Sequence, residues 1–276
     1  MNKVIVITGA SDGIGAIAAR ELHRKGAEVV IVGRSPEKTK RIADELGVKS
    51  YTADFSHLDE VRTLTTQLKK DYPKIDVLIN NAGGVFGKRE LTVDGHEKTL
   101  QVNHLAPFLL TNLLMETLIK SKAVVINTSS VANTVFAKLD VDDLELEHGY
   151  SSNRAYGNAK LANILFTYEL HKKFHEKGIS AVAVHPGNIA TNFANNTTSF
   201  LRFAYRTPFA KLFLTSPQKG AEPLIWLATS TPSIDWEAGA YYDKLKLGKV
   251  NAIADDPDIS ARLWEISQNY TGINNG

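Results

Sequence analysis

The segment Val4–Gly15 reads Val-Ile-Val-Ile-Thr-Gly-Ala-Ser-Asp-Gly-Ile-Gly, an apolar β-branched run that meets glycines at 9, 13 and 15. Such a run predicts a buried strand, Val4–Thr8, and the glycines a sharp turn into a helix opening near Ile14. Glycine lets the backbone turn tightly and come close to a bound pyrophosphate, which then faces the amides of a helix N-terminus. The spacing is G-x-x-x-G-x-G rather than G-x-G-x-x-G. A tight strand-to-helix turn alone would also call for glycines, so the rest of the chain must decide between the two readings.

The same alternation continues. Strands are predicted at Val4–Thr8, Glu28–Gly33, Ser50–Ala53, Val77–Asn80, Ala123–Thr128 and Ile179–His185. Helices are predicted near Ile14–Lys25, Pro36–Leu46, Leu58–Asp71, Asp94–Lys120 and Asn153–Lys177. Continuous Val/Ile runs separated by helices imply a parallel sheet covered on both faces, a doubly wound α/β fold of the Rossmann type. Without repeats or a Pro/Gly/Ser-rich linker, residues 1–276 read as one domain. Beyond His185 the pattern loosens through an Asn/Thr-rich patch and the apolar-aromatic stretch Phe200–Leu214. A helix near Gln218–Thr229, a strand around Ala240–Tyr242 and a helix near Asp258–Tyr270 follow.

Composition narrows the class. Of 276 residues, 43% are hydrophobic and 22% charged, as in a globular protein with a sizeable core. A formal net charge of +2, from 32 basic and 30 acidic residues, offers no basic stripe for nucleic acid. The absence of cysteine removes disulfides and thiolate chemistry, and no stretch reaches the length of a membrane span. The expected location is the cytoplasm. His171 and His175 lie four apart, but without a third ligand they read as surface histidines, and no metal site is expected.

Chemistry enters at Tyr156-Gly157-Asn158-Ala159-Lys160. Positions i and i+4 share a helix face, so the phenol and the ammonium can point into one cleft. A nearby cation favours phenolate and draws a tyrosine down from its ordinary pKa of about 10, which suits a general acid or base acting on an alcohol or carbonyl. A half-buried tyrosine beside a solvated lysine is the plainer alternative. At the end of the second strand stand Gly33, Arg34 and Ser35, where NAD enzymes usually carry an acidic residue. A guanidinium can bind a 2′-phosphate through two parallel charge-assisted hydrogen bonds, so NADP(H) is the expected cofactor. Arg34 could also be an ordinary surface charge, and Asp12 in the glycine loop opposes the preference.

Together these features resemble the classical short-chain dehydrogenases/reductases, over nearly the whole chain. The glycine motif is Thr8–Gly15, from which Gly9, Ser11, Asp12, Gly13, Ile14 and Gly15 are expected to line the cofactor with Arg34 and Ser35. Asp54, with Phe55, resembles the aspartate that binds the adenine amino group. Asn80-Asn81-Ala82-Gly83 matches the motif closing the fourth strand and walling the adenine site. Asn103, Ser130, Tyr156 and Lys160 resemble the catalytic tetrad, and Pro186, Gly187, Ile189 and Thr191 the segment gripping the nicotinamide carboxamide. Between Ser130 and Tyr156 lie 25 residues, more than is usual in the family. That insert, the run Ala155–Asn163, Leu165–Leu170 and the late Arg262–Ser267 resemble the retinol dehydrogenase-like branch.

The resemblance implies an enzyme that moves a hydride between NADP(H) and a lipophilic aldehyde or ketone, or the corresponding alcohol. Ser130 would hydrogen-bond the substrate oxygen, and Tyr156 would exchange its proton. Lys160 would tune the tyrosine and hold the ribose, and Asn103 would hold a water reaching Lys160. Ser130 could otherwise be a turn residue and Asn103 a helix cap. Residues 188–216 would cover the substrate, with packing on the body or contact with a membrane surface as alternatives. Relatives in this branch often carry an N-terminal membrane anchor, which the reading of Met1–Ala10 as a strand does not provide. Pairing into dimers or tetramers through Leu105–Ile119 and Asn153–Phe174 is a further family expectation. The reading from another class is a regulatory protein that binds NADP(H) and turns nothing over.

Overall fold

The computed structural model describes residues 1–187 and 216–273. Eight strands form one sheet in the order β3-β2-β1-β4-β5-β6-β7-β8. They are β1 (Val4–Thr8), β2 (Glu28–Gly33), β3 (Ser50–Thr52), β4 (Val77–Asn80), β5 (Val124–Thr128), β6 (Ser180–His185), β7 (Tyr241–Asp243) and β8 (Lys246–Leu247). All neighbours pair in parallel except β7 with β8. The order reverses between β1 and β4, and in open α/β sheets the crevice beyond the carboxyl ends at such a point is where ligands bind.

Side chains of a strand alternate between faces, so each β-branched run feeds two cores. Ile5, Ile7, Val29, Ile31, Val77, Ile79, Val124, Ile126, Val182 and Val184 pack under α1 (Gly13–Arg24) and Pro217–Thr229. Val6, Val30, Val32, Leu78, Val125 and Ala181 pack under α3 (Leu58–Asp71) and the helices beyond it. Burial on both faces explains why β1, β2, β4, β5 and β6 are mostly apolar and legible from sequence, whereas β3 (Ser50–Thr52) and β8 are partly or wholly exposed. Helix α2 (Pro36–Leu46) is bounded by an N-cap serine, Ser35, Pro36 in its first turn and Gly47 at φ 66°, a left-handed conformation that glycine adopts without strain.

The expected helix at Asp94–Lys120 is interrupted. It consists of α4 (Lys98–Leu100), a π-helical turn at Gln101–Leu105, α5 (Ala106–Leu113) and α6 (Met115–Ser121). Pro107 explains part of the break, because it has no N–H to donate to the carbonyl of Asn103 four residues back. Helix α7 (Ala132–Val135) and strand β8 were not expected; both are too short to show periodicity. Helix α8 (Ser152–Phe174) is capped by the Ser151 hydroxyl and buried along most of Ala155–Leu170. Helices α9 (Pro217–Thr229) and α10 (Pro257–Thr271) complete the described fold. Trp264 of α10 packs against Phe108 of α5 and Phe166 of α8, with ring centres 5.0 and 5.8 Å away.

Candidate active site

The glycine loop is locked onto the end of β4. Thr8 Oγ1 accepts from the amides of Asn81 and Ala82, both at 3.0 Å, and donates to the Ile79 carbonyl. Asn81 Nδ2 returns hydrogen bonds to the carbonyls of Thr8 and Gly9 at 3.0 and 3.3 Å. Gly9 and Gly13 have φ of 67° and 56°, where a side chain is strained. A β-carbon on Gly9 would stand 2.8 Å from the Ala82 Cα, and one on Gly15 would stand 2.4 Å from the Gly9 carbonyl oxygen. Nothing larger than glycine fits, and α1 opens with its N-terminus at the crevice, where its dipole favours an anion.

Beside this loop Lys38 and, at longer range, Arg41 face the carboxylate of Asp12. Gly33 abuts Ser11, since a β-carbon there would lie 2.7 Å from the Ser11 Cβ. Arg34 is exposed and makes no hydrogen bond or ion pair among the described residues. Asp12 accepts from the Gly13 amide at 2.8 Å and pairs with Lys38 at 3.0 Å. The Lys38 hydrogen bond, then the Gly13 amide, hold the Asp12 carboxyl below its ordinary range. The loop carboxylate that argued against a 2′-phosphate is therefore matched by its own cation. Ser35 has its hydroxyl engaged as the cap of α2 and on Glu37. Asp54 turns one carboxylate oxygen onto the amide and hydroxyl of Ser56. The Phe55 side chain is in the core, which leaves only its backbone for a ligand.

At the carboxyl ends of β4 and β5 the structure gathers Gly83, Asn103, Tyr156 and Lys160. The Lys160 Nζ donates to the Thr128 carbonyl at 3.1 Å and lies 5.5 Å from the centre of the half-buried Tyr156 ring. Only 2% of Lys160 is exposed, and burial lowers its pKa to about 7. Ser129 fixes the lysine backbone by donating to its carbonyl at 2.7 Å. Ser130 follows at the end of β5, its Oγ accepting from the Ala132 amide at 3.2 Å as α7 begins. Gly83 is wedged against the group, since a β-carbon there would stand 2.5 Å from Asn103 Oδ1 and 3.2 Å from Lys160 Nζ.

Asn103 is more committed to the protein than the sequence implied. Its Oδ1 accepts from the Gly84 amide at 3.1 Å, and its Nδ2 donates to the Gly84 and Thr99 carbonyls, both at 2.9 Å. Both side-chain N–H groups are thus spent on the backbone. Pro186 and Gly187 follow β6, with Gly187 at φ 102°. Ile189, Thr191 and nearly all of the segment expected to cover the substrate lie outside the described residues.

Sequence reasoning passed over Ser129, Asn133 and Asn163. Asn133 is fully buried, donates to the Ser130 carbonyl at 2.8 Å and receives the Asn251 amide at 3.1 Å, tying α7 to the C-terminal segment. For Asn163 a signal existed: an amide three residues after Lys160, on the same helix face, in an otherwise apolar stretch.

Comparison with known proteins fits this geometry. The short chain dehydrogenase family matches residues 3–201. This chain is a short-chain dehydrogenase. The family comprises oxidoreductases that act on alcohol or carbonyl groups with a nicotinamide cofactor, and the chain falls in its retinol dehydrogenase-like branch. A Streptomyces sp. (strain C5) protein named as a candidate daunorubicin C-13 ketoreductase is 39% identical over 98% of this chain and 93% of its own length. Mouse retinol dehydrogenase 12 is 36% identical over 98% of this chain and 87% of its own. Among solved structures, an uncharacterized Mycobacterium paratuberculosis protein superposes with a TM-score of 0.78 at 30% identity, covering 98% of this chain and 93% of that one. Among the described residues of this dehydrogenase, no helix is long and apolar enough to cross a membrane, and no three His, Asp or Glu side chains gather as a metal site.

Proposed function

We propose that this short-chain dehydrogenase uses NADP(H) to interconvert a lipophilic aldehyde or ketone with its alcohol. One observation carries the reading: a buried lysine amine faces the ring of a tyrosine one helical turn away, beside the crevice at which the strand order reverses. Bound there, NADP(H) would supply the hydride. Gly9, Gly13 and Gly15 would admit its phosphates to the N-terminus of α1. Arg34, with Asp12 already matched by Lys38, would meet the 2′-phosphate.

In the reductive direction the carbonyl oxygen gains negative charge as the reaction proceeds. Ser130 would hold that oxygen with a hydrogen bond that strengthens in the transition state, and Tyr156 would give it a proton. Lys160, held in place by Thr128 and Ser129, would set its amine close to the ionising phenol, where the charged form favours phenolate. A lipophilic substrate is supported by the four phenylalanines of Phe200–Leu214, and by relatives named as a retinol dehydrogenase and a candidate daunorubicin C-13 ketoreductase.

The test is NADPH oxidation by wild type and Tyr156→Phe across aromatic, long-chain and polycyclic aldehydes and ketones. General acid–base groups contribute about 100- to 10,000-fold, so at least one compound should be reduced by wild type with a loss of that order in the variant. Equal rates for both proteins would refute the proposal, and no reduction of any compound by either would favour a dinucleotide-binding protein without turnover.

A further inference from the structure

The π-helical turn at Gln101–Leu105 leaves a carbonyl to be satisfied. Asn103 has lost the donor that an ordinary helix would supply at position 107, and its carbonyl is buried. The missing donor comes from α8. Asn163 Nδ2 donates to the Asn103 carbonyl at 3.0 Å and to the Thr128 carbonyl at 3.1 Å. The second contact matters because the Thr128 carbonyl is also the acceptor for Lys160 Nζ. A single amide therefore joins the backbone of Asn103 to the oxygen on which the lysine rests.

The chain of contacts continues outward with a fixed direction. With both N–H groups of Asn163 on carbonyls, its Oδ1 must accept, so His104 Nδ1, 3.3 Å away, is the donor. His104 is wholly buried, and burial lowers its pKa to about 4, so it is neutral and carries one N–H. Its Nε2 is then an acceptor and takes the hydroxyl of Ser267 on α10 at 2.9 Å. Asn163, His104 and Ser267 are each at most 3% exposed. Three helices distant in sequence thus end in one polar thread that stops at the lysine.

We propose that Asn163 is a positioning residue for the reaction: its amide, oriented through His104 and Ser267, sets where the Thr128 carbonyl holds the Lys160 amine. The inference rests on the reading of Lys160 as a working group of the site. Asn163 itself touches neither substrate nor cofactor. Its effect passes through the lysine, which faces the Thr128 carbonyl, the Tyr156 ring and the Gly83 backbone.

The experiment compares wild type, Asn163→Leu and Ser267→Ala, each checked for folding by circular dichroism. It uses two readouts: NMR titration of the Lys160 ε-methylene, and the pH profile of kcat and KM with NADPH and an aldehyde that wild type reduces. In Asn163→Leu the Thr128 carbonyl serves Lys160 alone and favours its charged form. The Lys160 midpoint should then rise by about half a pH unit or more. A misplacement of about 1 Å can cost about 100-fold, so kcat should fall by up to that factor, with KM changing less. Ser267→Ala should shift both quantities in the same direction by less. An unchanged Lys160 titration and kcat in a folded Asn163→Leu protein, with thermal stability alone reduced, would overturn the proposal. If Asn163→Leu does not fold, an unaltered titration in Ser267→Ala does so. A wild type that reduces no compound sinks the proposed function, while the Lys160 titration still judges this inference.

Discussion

Gly83 lies directly against Lys160: a β-carbon at position 83 would come within 3.2 Å of the lysine Nζ. The same carbon would stand 2.5 Å from Asn103 Oδ1, and Asn103 cannot yield because Gly84 and Thr99 hold its amide on both sides. Gly83→Ala should therefore displace the lysine rather than be absorbed. The expected outcome is a fall in kcat/KM of about 100-fold with a stability loss of about 1–3 kcal/mol, read by steady-state kinetics and urea unfolding. A Gly83→Ala enzyme with wild-type kinetics would show that the lysine has room to move.

Lys160 should also make stability depend on pH. In the folded protein its amine has a pKa of about 7, against the ordinary 10.5 once unfolded. Below about 7 it is charged in both states, and the burial penalty acts in full. Between 7 and 10.5 the unfolded chain keeps a proton that the folded chain has released, so this contribution to stability rises with pH. Lys160→Met should consequently exceed wild type in unfolding free energy at pH 6.5, with the gap closing towards pH 10. A gap independent of pH in denaturant titrations would contradict this assignment.

Cofactor choice should follow the charges around Asp12. Charge-assisted hydrogen bonds contribute about 1.5–3 kcal/mol each, so Arg34→Gln should weaken NADPH binding about 10- to 100-fold and leave NADH nearly unaffected. Lys38→Gln, which uncovers the Asp12 carboxylate, should weaken NADPH as well, and Asp12→Asn should tighten it. Fluorescence titration with both dinucleotides reads all three. Equal losses for NADPH and NADH in Arg34→Gln would remove the basis for the NADP(H) preference.

Trp264 should be a main anchor of α10. Its ring closes over Phe108 and Phe166, and Lys173 lies 5.3 Å from its centre. Trp264→Ala should lower stability by about 3–5 kcal/mol. Because α10 packs against α5 and α8 in the same chain, the helices expected to pair subunits already carry a partner on this face. Deleting residues 257–276 should therefore expose their aromatic residues and raise self-association in analytical ultracentrifugation, and an unchanged sedimentation pattern would count against this role of α10.

The inner strands β1, β2, β4 and β5 were legible because burial on both faces leaves each dominated by Val, Ile and Leu, and Gly26 and Gly178 mark where helices stop before β2 and β6. The shared face of Tyr156 and Lys160 was legible for an equally local reason, their spacing of four. What sequence concealed depends on distant partners. Nothing near Asn103 announces that Gly84 and Thr99 consume its amide, and the break at Gln101–Leu105 arises within a stretch whose apolar periodicity reads as one helix. The link from Ser267 through His104 to Asn163 spans 163 positions between its first two members, beyond the reach of any periodicity. Helix α7 and strand β8, of four and two residues, are fixed by neighbours such as Asn251 and Tyr242 rather than by their own composition.

Val124 and Val125 are adjacent in the chain, yet one belongs to the layer beneath α1 and α9 and the other to the layer shared with α3, α5 and α8. The reacting side chains of α8 rest on only one of these floors. Heat tolerance can therefore be retuned on the opposite floor under α9, through Leu224 or Leu227 for instance, while the ground under Tyr156 stays as it is; Ile7 and Ile31 support the glycine loop and α1 and are to be kept. For an engineer the sheet acts as a partition, with the reacting side chains of α8 served from one side and the glycine loop and α1 from the other.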